Sequence, residues 1–268
     1  MFNGSGKTSR KAASNPADDT QAPAGTAFPL FFSKPVAVNP ERHGKAGIHT
    51  NLAPEFARAT NSIPLNVVEF MEAVKFYPVA FTMTTPVMPL AIVGLEQENL
   101  FIDEKNQWRD DTYIPAYVRK HPFVFAEDTE NDRLTLCVDE DSAYFASDAS
   151  DNATALFEKG EPTAYTNNVL QFCAAFQEQF GLTRQFCEVI ESLGLFEPNR
   201  SDVELPSGRK IGLTGFQMID QKRFSELPDE KIMELHKQGW LPLIHFTFLA
   251  NSNWRRLLDL AAKREPKA

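Results

Sequence analysis

Cysteine is scarce: the 268 residues include only Cys137, Cys173 and Cys187. The number is odd, the spacings are wide and no C-x-x-C pair exists, which argues against a zinc cage or a disulfide framework. Cys173 and Cys187 sit among apolar neighbours, as small buried hydrophobes do. Positive charge is outweighed, because 27 Lys and Arg against 36 Asp and Glu leave a formal charge of −9. Broad nucleic-acid binding needs cations to neutralise phosphates, so it is not expected. No segment approaches the run of about 20 apolar residues that a membrane helix needs. The start, Met1 to Lys11, lacks the apolar core of a signal peptide. The expectation is a soluble, cytoplasmic protein with no integral membrane segment.

Catalytic signatures are missing too. There is no G-x-S-x-G nucleophile elbow, no H-E-x-x-H, and no G-x-G-x-x-G after a strand. Gly4-Ser5-Gly6-Lys7-Thr8 imitates the end of a phosphate-binding loop, but Met1 stands where the motif needs its first Gly. Asp139-Glu140-Asp141 begins like a calcium loop, yet Tyr144 occupies the glycine position and Ser150 the final Glu. The seven acids between 127 and 141 therefore read as a solvated rim. His43 and His49 lack acidic or Cys partners at ligand spacing and read as loop histidines. No metal and no cofactor is implied. Catalytic groups can still be assembled from distant residues, and Glu69, His121 and His245 are the candidates for acid–base work. Glu69 lies between Val68 and Phe70, pointing either to solvent or inward, and His245 lies in an apolar run and reads as buried.

What is abundant is Phe, 22 residues against five Tyr and three Trp, which predicts an aromatic-rich core. Residues 1–27 hold almost no large apolar groups and read as a disordered tail. Residues 28–268 read as one α+β domain, with a sub-division near 160–200 left open. Asn66 caps a predicted helix of about ten residues that ends at Tyr77-Pro78. The period then changes to two over 79–83, 90–95 and 100–102, an antiparallel meander. A hairpin follows over 123–126 and 134–138, which makes about five strands interrupted by a helix. Val169, Phe172, Cys173, Phe176 and Phe180 mark a helix ended by Gly181. Thr183 starts a second, and the pair forms a helical hairpin covering the sheet. Residues 198–202 read as a loop before a hairpin at 203–213, with a bulge at Gly215. Helical segments starting at Pro228 and running through 241–249 to Leu260 close the chain.

The richest stretch is Trp108 to Phe123, W-R-D-D-T-Y-I-P-A-Y-V-R-K-H-P-F. Asp110 or Asp111 can cap a short helix there, with Tyr113, Ala116, Tyr117 and Lys120 on one face. Trp108, Tyr113 and Tyr117 supply contact area, and Arg119 offers a bidentate grip on carboxylate or phosphate. These four are the candidate ligand-binding residues. A structural role for the stretch, clamping strands to the helical layer, competes with recognition.

The motifs Glu69-Phe70, Tyr77-Pro78-Val79-Ala80-Phe81, Gly94-Leu95, Asn99 to Asp103, Trp108, Tyr113 to Arg119 and Pro122-Phe123 are joined by Gly160-Glu161-Pro162. Asp220, Leu235, Gly239-Trp240-Leu241 and the segment around His245 and Asn251 complete the set. Together they resemble the bacterial SapC family over about residues 28–262. The resemblance implies no established reaction and no catalytic residues. The family name derives from an association with surface-layer proteins, and relatives are often encoded beside outer-membrane nutrient receptors. Three readings follow. One is an accessory or binding protein, linked to nutrient uptake or the cell envelope, for a small anionic metabolite, a peptide or a protein partner. The second is an enzyme or enzyme partner acting on a peptide or amino-acid-derived substrate. The third is a surface-layer component.

Overall fold

The computed structural model describes residues 28–128, 133–150, 152–205 and 208–264. The first 27 residues, with the phosphate-loop imitation they contain, lie outside the described part. The architecture is α+β, with antiparallel sheets and helices gathered at the C-terminal end.

The strands divide between two main sheets rather than one meander. A five-stranded sheet runs in the order Phe196–Glu204, Lys210–Ile219, Val79–Thr82, Pro89–Ile92, Ser62–Pro64. A three-stranded sheet places Arg133–Asp139 between Pro35–Ala37 and Phe123–Asp128. The expected strand at 100–102 contributes only an isolated bridge, Ile102 to Trp108. Asn99 is the cause. Fully buried, it donates from Nδ2 to the Ala57 carbonyl and accepts the Phe101 N–H on Oδ1, so the backbone turns away from a ladder.

The residues expected as a loop at 198–202 are strand, inside Phe196–Glu204. This strand lies at the sheet edge, the position where Pro198 is tolerated because one face of the backbone lacks a ladder partner. Opposite its Asn199–Ser201 step the register shifts, and Gly215 sits there at φ 84°. The glycine supplies the left-handed backbone that a bulge requires.

The predicted helical hairpin is one helix, Ala164–Ser192, 29 residues long. Gly181 does not end it. A mid-helix glycine costs about 1 kcal/mol relative to alanine, and the burial of Thr183, Phe186, Cys187 and Ile190 just beyond it outweighs that. Thr183 is no N-cap either: its hydroxyl donates to the Gln179 carbonyl one turn back and accepts the Val67 N–H. The helix bridges two cores. Cys173 packs into the smaller one with Ile48, Phe123, Val138 and Leu156. Phe186, Cys187 and Ile190 pack into the larger one with Phe70, Tyr77, Phe81 and Trp240.

The helix expected after Asn66 is shorter than predicted, a 3-10 turn Val67–Glu69 running into Phe70–Ala73. Its buried face is Val67, Phe70, Ala73 and Tyr77, while Val68 and Met71 are exposed. All three cysteines are buried and free. The acidic segment is not wholly a solvated rim, since Asp139 is buried and Glu140 pairs with Lys34, Arg42 and His43. His43 is correspondingly buried rather than a surface residue.

Candidate functional site

The local frame begins at Glu69. Its Oε2 accepts the Asn66 N–H at 2.8 Å, which completes a capping box. Its Oε1 reaches across the fold to the Tyr113 hydroxyl at 2.8 Å and the Ala116 N–H at 2.7 Å. Ala116 opens the short helix Ala116–Arg119, and Pro115 at the N-cap offers no side-chain acceptor. A carboxylate 47 residues away in sequence therefore does the work expected of Asp110 or Asp111. Asp111 is instead exposed at φ 58°.

The four predicted ligand-binding residues are placed differently from one another. Trp108 is buried, its Nε1 donating to the Tyr77 hydroxyl at 3.3 Å. Tyr117 is buried, its hydroxyl donating to the Leu30 carbonyl at 3.1 Å. Tyr113 is half-buried between Glu69 and Arg119. Burial raises the hydroxyl pKa of Tyr113 and Tyr117. Arg119 alone of the four is exposed. Its guanidinium lies 5.6 Å from the Tyr113 ring and 5.3 Å from the Phe172 ring, and Nε donates to the Ile114 carbonyl. No carboxylate among the described residues pairs with it.

Lys120 is the residue that sequence reasoning underrated. Its side chain is 7% exposed, yet it makes no hydrogen bond and no ion pair with any described residue. Its Nζ faces three rings instead, Tyr117 at 4.4 Å, Phe32 at 4.8 Å and Phe176 at 5.2 Å. Burial pulls its pKa down to about 8, opposed only by the Cys173 thiol, itself pushed up to about 11 by burial. The carboxylates at hand are committed elsewhere. Glu69 holds two backbone N–H groups and a phenol, while Asp139 accepts the N–H groups of Ser33, Lys34 and Asp141.

Arg119 and Lys120 line the same cavity, of about 320 Å³, with His121, Tyr165, Phe172 and Cys173. Phe172 and Phe176 explain why two consecutive residues converge. They lie four apart on the long helix, hence on one stripe, and each carries one of the cations. The sequence pattern marked both phenylalanines as a core face, but both are half-buried; Phe172 lines the groove, while Phe176 packs against the larger core.

His121 stands between this groove and a second cavity of about 430 Å³, which Phe31, Phe56, Ser142 and Tyr144 also line. Its ring stacks on Phe56 at 3.9 Å, its Nε2 is 2.9 Å from Ser142 Oγ, and its Nδ1 is buried without a partner among the described residues. Burial pulls its pKa down to about 4. His43 shifts in the same direction, for the same leading reason. The folded protein thus keeps His121 neutral where the unfolded chain takes up a proton. Stability is unaffected above about pH 6.5 and falls as the pH drops from there toward about 4. For His121 the loss is on the order of 3 kcal/mol. Replacement His121→Phe is expected to flatten the urea midpoint between pH 7.5 and 4.5, leaving the His43 share. An unchanged slope would show that His121 does not carry it.

The acid–base candidates do not meet. No hydrogen bond among the described residues joins Glu69 to His121 or His245. His245 is exposed, against the expectation of burial, and packs edge-on to Phe224 and Phe248. The inward face of its helix is taken by Trp240, Ile244 and Thr247. No group of three His, Cys, Asp or Glu among the described residues could hold a metal ion. No described helix is long and apolar enough to cross a membrane.

Fold and site together define an α+β protein whose groove, beneath a long bridging helix, presents two cations without counter-charges over aromatic rings. The SapC family model matches residues 38–257, most of the chain. The chain belongs to the SapC family. None of the curated proteins and none of the solved structures compared with it matches.

Proposed function

We propose that this is a cytoplasmic accessory or binding protein that recognises a small anionic metabolite, or the acidic group of a peptide or protein partner, at the Arg119–Lys120 groove. The observation that carries the reading is the pair of cations without carboxylate partners in a chain of formal charge −9. A buried ammonium without a counter-ion is costly, and three ring faces offset only part of that cost. An incoming carboxylate or phosphate would complete the balance, with Arg119 supplying the directional grip. A link to nutrient uptake or the cell envelope is part of the proposal and is supported only by the resemblance to the family.

Thermal-shift and calorimetric titration with carboxylates and phosphates tests the reading. Arg119→Ala is expected to weaken any hit by about tenfold to a hundredfold, the range of a hydrogen bond to a charged group. Binding that survives the substitution unchanged would remove the groove from consideration.

A further inference from the structure

We propose that Lys120 captures its ligand covalently and reversibly, as an imine with a small carbonyl compound that carries an acid group, an oxo acid, whose carboxylate Arg119 holds. The inference deepens the anion-groove reading and rests on it.

An amine that serves as a nucleophile must lose its proton near neutral pH, and burial away from carboxylates is how proteins arrange that. Lys120 meets the condition by position. It is more than nine-tenths buried, faces three rings and has no ion pair, yet it opens onto a cavity. The titratable groups around it are Arg119, His121 and Tyr117 on its own turn, and Cys173 and Tyr165 on the long helix. The strap segment packed over it, Phe28 to Ser33, carries no carboxylate. Its lowered pKa agrees with this setting. The groove, at about 320 Å³, is at the small end of ligand clefts. The rings of Tyr117, Phe32 and Phe176 cover the ammonium itself, which slows hydrolysis of an imine formed there.

The two cations divide the labour. Arg119 is exposed over Phe172, which lines the groove, and Lys120 is buried over Phe176, one turn along the same helix face. A 2-oxo acid has an anion and an electrophilic carbon on adjacent atoms, so one end can rest on the guanidinium while the other meets the amine. In the step, the neutral Nζ adds to the carbonyl carbon. The C–O bond breaks, the oxygen leaves as water with the two amine protons, and a C=N bond remains. No oxidant or reductant is consumed.

The test is reductive trapping in the full-length protein. Glyoxylate and, separately, acetaldehyde are supplied with cyanoborohydride at pH 7, and the labelled lysines are mapped by mass spectrometry. The glyoxylate adduct is expected at Lys120 at least about tenfold faster than at exposed lysines. The rate at Lys120 should level off above about pH 8, while surface labelling still climbs. Arg119→Ala should remove the preference for glyoxylate over acetaldehyde. Lys120→Met keeps an unbranched side chain of similar length under the three rings and should remove the adduct with little change in melting temperature. If succinate or phosphate binds in an Arg119-dependent manner but Lys120 labels no faster than surface lysines, the imine is refuted and the anion groove stands. Equal labelling by both aldehydes in the parent protein would refute the acid-bearing ligand.

Discussion

Glu69→Ala is expected to lower the melting temperature by roughly 10 °C, the largest effect of any single polar substitution considered. The carboxylate is 5% exposed and satisfies the N–H groups of Asn66 and Ala116 and the Tyr113 hydroxyl. Alanine leaves two buried backbone donors without acceptors. Each such group costs about 1–3 kcal/mol, and the charged acceptor lies at the upper end. The sum is about 3–5 kcal/mol, and a chain of this size loses about 2–4 °C per kcal/mol. Glutamine keeps one acceptor oxygen, so Glu69→Gln should fall between the two. Urea denaturation gives the ranking directly. A Glu69→Ala midpoint close to the parent's would mean that water replaces the carboxylate and that the short helix Ala116–Arg119 does not depend on it.

Asp139→Ala should act on the groove as well as on stability. Asp139 is 1% exposed, and its two oxygens hold the N–H groups of Ser33 and Lys34, each at 2.8 Å. Those bonds tether the segment from Phe28 to Lys34. Phe31 in that segment lies 5.9 Å from Tyr117, and Phe32 lies 5.2 Å from His121 and 4.8 Å from the Lys120 ammonium. Loss of the tether is expected to cost about 2–4 kcal/mol. Without Phe32 in place, Lys120 regains water and its pKa moves up from about 8 toward the ordinary lysine range. Hydrogen exchange over 28–37 should accelerate while exchange in Lys210–Ile219 stays as it was. Acceleration in both would mean that the whole fold, rather than the strap, has loosened.

Much of the fold was legible where one period dominates. The strand at Val79–Thr82, the hairpin across 128–133, the Gly215 bulge and the C-terminal helices all follow local rules. The sequence misled where a local signal was outweighed by burial at a distance. Gly181 reads as a terminator, but Phe186 and Ile190 hold the helix through it. Pro198 and the polar residues beside it read as a loop because an exposed edge strand lacks alternation. Asn99 turned a β-like run into a bend through a bond to Ala57, 42 residues away. The candidate site was legible in part. Arg119 stood out as a cation among aromatics. The importance of Lys120 did not, because its rings come from residues 32, 117 and 176, and only Tyr117 is a neighbour in sequence. The inward turn of Glu69 was equally hidden, since Ala116 and Tyr113 approach it only after the chain has folded back.

The long helix has an optical consequence. Phe176 faces the Lys120 ammonium at 5.2 Å, and ten residues further along the same helix Phe186 touches the Trp240 ring, with centroids 5.7 Å apart. Ten helical residues span about 15 Å. An uninterrupted backbone rod therefore links the surroundings of Lys120 to an indole in the larger core. A ligand that shifts Lys120 over Phe176 is expected to change the surroundings of Trp240 at the far end. Comparing the emission of the parent with that of Trp240→Phe during a titration would separate this report from Trp108 and Trp254.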